Sequence, residues 1–260
     1  MFKKLLFFSL FIAIAYMLTS SFPEKKTESE EDAAETFIQG DNTTLKKSAD
    51  AGQGYVDSFI FFGESTTYHL KSRGVLSGGV NTLQVWAPKS GTLMLDQTTS
   101  ECRIFYPDSK EEIELTEAMT KKKPKYILLT FGLNGAVGNI SKGSDYFKDC
   151  YKKLISSLQK ASPESVIMLQ SCFPISSTMD TSGYSVDAKT LNSYIDITNQ
   201  WTAQLAYENA LPYLNTAEVL KDEDGFLKSQ YDSGDGFHLN TEAYRQMLLY
   251  MRTHAYGGTE

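Results

Sequence analysis

Val56-Asp57-Ser58-Phe59-Ile60-Phe61-Phe62-Gly63-Glu64-Ser65-Thr66-Thr67-Tyr68-His69 is the stretch on which the fold turns. Its apolar content from Val56 to Phe62 reads as a strand buried on both faces, because the run is too short for a helix and stops at a glycine. Residues 66–73 then read as a helix turning away from it. The polar triplet Gly63-Glu64-Ser65 therefore falls at the carboxyl end of a buried strand. In an open parallel sheet, that edge is where ligands and chemistry gather.

Working outward, short apolar runs keep alternating with longer helical patterns. Thr82–Ala87 reads as a second strand, and 103–106 with 112–115 as a hairpin around Asp108-Ser109. A helix over 116–123 is stopped by Pro124. Tyr126–Phe131 is the clearest strand in the chain. The helix predicted over 144–159 places Tyr146, Phe147, Cys150, Leu154 and Leu158 on one face, with lysines between them. Val166–Gln170 follows as a strand, 187–208 as a long helix and 211–215 as a last strand. A closing helix capped by Asn240 or Thr241 runs to about His254. This alternation predicts an α/β protein with a parallel sheet and crossover helices.

The composition bounds the rest. A chain of 260 residues, 41% hydrophobic and 22% charged, holds one full-sized folded domain and an extension. A net charge of −7 argues against a nucleic-acid partner, which needs clustered cations. Lys3 and Lys4 precede an apolar run from Leu5 to Leu18, the pattern of a signal peptide or signal anchor over residues 1–22. Residues 23–54 read as a polar linker and 55–260 as the folded domain. The implied place is extracytoplasmic, either secreted or held to a membrane through the N-terminal segment alone. Cys102, Cys150 and Cys172 show no metal-ligand or disulfide spacing and receive no role.

Ser65 becomes a nucleophile only if a base takes its proton, and histidine suits that task near neutral pH. The chain has three: His69, His238 and His254. His254 falls in the last turns of the closing helix, and His69, one turn beyond Ser65, would lie along a helix flank. His238 stands in Asp235-Gly236-Phe237-His238, where Asp235 is close enough in sequence to orient the ring. The turn-rich run 232–236 also suits an ordinary surface turn. Asn134, between Gly132-Leu133 and Gly135 after the strand 126–131, offers an amide donor or a plain strand-ending turn.

Four ordered blocks decide among these readings. Gly63-Glu64-Ser65, Ser90-Gly91-Thr92, Gly132-Leu133-Asn134 and Asp235-Gly236-Phe237-His238 resemble the motifs of the SGNH, or GDSL, hydrolase family. The resemblance implies a three-layer α/β/α sandwich around a mainly parallel, flavodoxin-like sheet of about five strands. It implies Ser65 as nucleophile, His238 as base and Asp235 as its orienting carboxylate. Ser65, Gly91 and Asn134 would donate to the oxyanion, with Gly79 in Ser77-Gly78-Gly79 as the alternative glycine. No metal or organic cofactor is required. The implied substrate is a small acyl ester or an acylated glycan; an O-acyltransferase and a noncatalytic binding module are the alternatives. Two departures stand out: Glu64 where the family has Asp, and Gly135 where it has Asp after Asn.

Overall fold

The computed structural model describes residues 43–98 and 102–258. The expected signal segment, 1–22, and the linker up to residue 42 lie outside the described residues. Five strands form one parallel sheet: β1 (Phe59–Gly63), β2 (Val85–Trp86), β5 (Tyr126–Thr130), β6 (Val166–Gln170) and β7 (Tyr213–Leu214), in the order β2-β1-β5-β6-β7. Between them in sequence, β3 (Arg103–Tyr106) and β4 (Glu111–Glu114) make the antiparallel hairpin expected from the sequence.

Alternation along the strands sorts the core into two layers. Ile60, Phe62, Ile127, Leu129, Ile167 and Leu169 face one side, with the helices Leu115–Lys122, Ser144–Ala161 and Ala188–Glu208 over them. Phe59, Phe61, Tyr126, Leu128 and Met168 face the other, under the helices Gly52–Asp57, Ser65–Ser72 and Thr241–Thr253. Strands covered on both faces read as continuous apolar runs, which is why β1, β5 and β6 are visible in the sequence. Phe59, Phe61 and Phe62 are at most 1% exposed, and each such burial stabilises the fold by roughly 1.5–3 kcal/mol. The result is the expected α/β/α sandwich on a central five-stranded parallel sheet.

The strand order places the site. After β1 the chain crosses to β2 on one side and later returns to β5 on the other, so the direction of winding reverses between β1 and β5. Loops leaving the carboxyl ends of those two strands diverge and open a crevice. Gly63 pairs with Thr130 at that very end.

The domain begins earlier than the linker reading placed it. Thr44 bridges Tyr213 in parallel, with Tyr213 N–H donating to the Thr43 carbonyl and Leu45 N–H to the Tyr213 carbonyl, both at 2.9 Å. Ala51 N–H reaches the Arg252 carbonyl at 2.9 Å, and Asp50 pairs with the Arg252 guanidinium. Residues 52–57 form a helix that ends at Ser58, so the first strand starts at Phe59 rather than Val56. These contacts are mostly main-chain, and a polar composition does not reveal them.

Candidate active site

Gly63 closes β1 where no side chain fits: a Cβ there would run into the Thr67 hydroxyl and the Thr130 carbonyl. The chain passes through Glu64 in an extended conformation and enters the helix Ser65–Ser72 at Ser65. Ser65 is half-buried at the helix N-terminus, where backbone N–H groups have no partner within the helix. Its Oγ lies 3.3 Å from His238 Nε2. His238 Nδ1 lies 2.7 Å from Asp235 Oδ2. The structure thus brings together three residues drawn from opposite ends of the domain.

The 232–240 loop holds this arrangement through its own main chain. Asp235 Oδ1 accepts the N–H groups of Phe237 at 2.9 Å and His238 at 2.8 Å. Burial alone would raise the Asp235 carboxyl, yet these amides and the imidazole hold it well below the usual carboxylate range. An ionised Asp235 fixes the proton of the ring on Nδ1 and turns the free lone pair of Nε2 toward Ser65. Asp232 bridges Leu239, and Ser233 N–H donates to the His238 carbonyl at 2.9 Å. Gly236 sits at φ +75° against Met179, a place that admits no Cβ. Asn240 then caps the closing helix by accepting Ala243 N–H at 3.0 Å.

Glu64 is the part whose role the sequence reading underestimated. It is 1% exposed. Its Oε1 accepts Gly132 N–H at 2.9 Å, and its Oε2 accepts Leu133 N–H at 3.1 Å and Asn134 N–H at 2.8 Å. One carboxyl next to Ser65 therefore clamps the whole loop that carries Asn134. Burial pushes this carboxyl up to about 8, against the pull of the three amides. Gly135, the other departure, takes φ +71° and leads into a helix over Ala136–Lys142 that the sequence reading did not find.

Asn134 Nδ2 donates to Thr92 Oγ1 at 3.0 Å, which leaves its second hydrogen free to meet a ligand. Neither glycine offered as the second donor has a free amide in this structure. Gly91 N–H is committed to the Pro88 carbonyl at 2.9 Å, closing the turn at φ +75°, and the alternative, Gly79, donates to the Leu76 carbonyl at 2.9 Å. In the second block it is Thr92 whose hydroxyl reaches the Asn134 side chain. A hydroxyl one residue past the turn glycine was the available signal.

His69 also departs from expectation. Its ring lies against that of His238, with centroids 4.5 Å apart and planes at 49°. Burial, then the neighbouring His238 and Arg73, lowers its pKa to about 4. A neutral ring thus backs His238. The signal was its spacing, since residues i and i+4 share a helix face and put His69 above Ser65. His254 stacks on Tyr250 at 3.7 Å, away from this cluster. The three cysteines are free thiols, with Cys150 and Cys172 buried.

Comparison with known proteins follows the same lines. The GDSL-like lipase/acylhydrolase family matches residues 61–246. No curated protein is significantly similar to the sequence. Among solved structures, a protein assigned to the G-D-S-L family of lipolytic proteins from Desulfitobacterium hafniense superposes with TM-score 0.52 at 15% identity, covering 75% of this chain and 97% of its own. A GDSL-like lipase from Bacteroides thetaiotaomicron gives 0.50 at 16% identity, covering 85% and 94%. At these identities the likeness is one of fold.

Proposed function

The chain belongs to the GDSL-like lipase/acylhydrolase family, and from that premise we propose that it is a serine esterase using Ser65, His238 and Asp235 on short-chain acyl esters. The observation that carries this reading is the continuous line from Ser65 Oγ to His238 Nε2 at 3.3 Å and from His238 Nδ1 to Asp235 Oδ2 at 2.7 Å.

In the proposed reaction His238 Nε2 takes the Ser65 proton as Oγ attacks the ester carbonyl carbon. The carbonyl π pair moves onto oxygen, giving a tetrahedral oxyanion. Ser65 N–H, at the start of the helix, and the second hydrogen of Asn134 Nδ2 meet that charge. Removing one such donor typically costs about 10²- to 10³-fold in rate. The imidazolium then protonates the departing alcohol as the C–O bond breaks. Water, deprotonated by His238, attacks the acyl-enzyme and releases the carboxylic acid and free Ser65. Asp235 keeps its charge throughout and stabilises the imidazolium.

The basic and apolar N-terminal run supports an extracytoplasmic place for this activity. The test is hydrolysis of p-nitrophenyl acetate by the wild-type chain and by Ser65→Ala. A loss of about 10³-fold or more is expected; equal rates would overturn the reading.

A further inference from the structure

Two of the chain's three histidines meet beside Ser65. The helix Ser65–Ser72 carries Ser65 in its first turn and His69 one turn later on the same flank. Around the His238 ring stand Ser65 Oγ, 3.3 Å from Nε2, and Asp235 Oδ2, 2.7 Å from Nδ1. Two rings complete the enclosure: Phe237, edge-on with centroids 5.0 Å apart, and His69, with centroids 4.5 Å apart. Asp235 and Phe237 belong to the loop that carries His238 and move with it. They orient the imidazole within that loop but do not fix it relative to the serine. His69 does, because it is mounted on the same helix as Ser65. That helix is itself anchored, with Thr66, Thr67 and Leu70 buried and the Tyr244 hydroxyl of the closing helix donating to the Thr66 carbonyl at 2.6 Å.

The charge state of His69 suits such a role. Its Nδ1 is buried without a hydrogen-bond partner among the described residues. A proton there would leave a charged N–H without an acceptor and out of reach of water. The charged and titratable groups acting on the ring are His238 and Asp235 from the loop and Arg73 from its own helix. Burial first, then His238 and Arg73, lowers its pKa to about 4, and Asp235 pulls the other way without prevailing. Of two adjacent imidazoles, only His238 has a carboxylate on its second nitrogen. A second cation at His69 would repel the imidazolium that forms on His238 during attack.

We propose that His69 is a positioning residue for the base: an uncharged ring, mounted on the nucleophile's own helix, that holds the His238 imidazole in line with Ser65 Oγ and leaves the transferred proton on His238. The assignment rests on the esterase reading and adds to it a residue that acts through His238 alone.

Rates and ring states test it separately. On p-nitrophenyl acetate, His69→Ala should lower kcat about 10- to 100-fold, the scale of a slightly misplaced catalytic group, with KM changed by no more than about twofold. Fluorophosphonate labelling of Ser65 should slow by a similar factor, since it needs the base but not the ester. His69→Phe, which keeps an uncharged ring, should recover most of both losses. Urea titration identifies the variants that are folded. Unchanged kcat and labelling in folded His69→Ala overturn the inference, and so does a folded His69→Phe no faster than His69→Ala. Nitrogen-15 NMR of the full-length chain with labelled histidine reads the contact without any reaction. At pH 6, where an ordinary histidine is largely protonated, the His69 ring should be uncharged, and the His238 ring signals should move in His69→Ala. A charged His69 at that pH, or unmoved His238 signals, also overturns the inference. An inactive wild-type chain with both signatures intact would count against the esterase reading rather than against the ring contact.

Discussion

Glu64 shows how one methylene changes what a loop hangs on. The carboxyl reaches three consecutive amides of the loop carrying Asn134 while its own backbone leads into Ser65. A glutamine there has one acceptor oxygen and turns an N–H₂ group toward amides that also donate. We expect Glu64→Gln to lose about 1–3 kcal/mol of stability and to lower kcat more than it raises KM, by denaturant titration and steady-state kinetics. The pH dependence has a definite sign. A carboxyl raised from 4.5 to about 8 contributes stability that is complete below 4.5 and is lost as pH rises through 8. Unfolding midpoints measured from pH 5 to 9 should fall for the wild type, and the fall should be shallower in Glu64→Gln. At this scale the sequence named Ser65, His238, Asp235 and Asn134 as candidates because motif residues carry their chemistry in their names, and the structure sets Ser65, His238 and Asp235 in one hydrogen-bonded line. It hid the clamp of Glu64, the contact of His69 and the committed amide of Gly91, because those depend on where atoms point after the chain has folded.

At the scale of elements, the turn from β1 into the helix Ser65–Ser72 has the least slack. Gly63 pairs with Thr130 across the sheet, and its missing Cβ is the space that Thr67 and the Thr130 carbonyl occupy. Gly63→Ala should cost about 1–3 kcal/mol or more, read as a lowered midpoint in urea, and should reduce ester hydrolysis by moving Ser65. A variant as stable and active as the wild type would show that the turn has room. The long strands and helices were legible because burial on two faces or on one helical stripe imprints a period on the sequence. β2 and β7 were expected longer than the two residues each that pair. The helix Ala136–Lys142 was missed because Gly138 and Asn139 interrupt its pattern and it is only seven residues long.

On the scale of the molecule, the class and the five-stranded sheet were readable, and the start of the domain was not. The segment from Thr43 to Ala51 joins through backbone bonds to Tyr213, Thr253 and Arg252, so it closes the open edge of β7 without an apolar signature. A chain beginning at Tyr55 should be less stable than one beginning at Asp41 by about 2–5 kcal/mol, given several hydrogen bonds at roughly 1 kcal/mol each, and more prone to self-association through that bare edge. Equal thermal midpoints for the two would mean the segment is only a tether. The central claim is that the two ends of the domain meet to activate a single serine. Mass spectrometry after reaction with a fluorophosphonate tests it most directly. The account predicts one adduct, on the peptide containing Ser65, absent from Ser65→Ala and strongly slowed in His238→Ala; an unmodified Ser65, or an adduct that persists in Ser65→Ala, would contradict it.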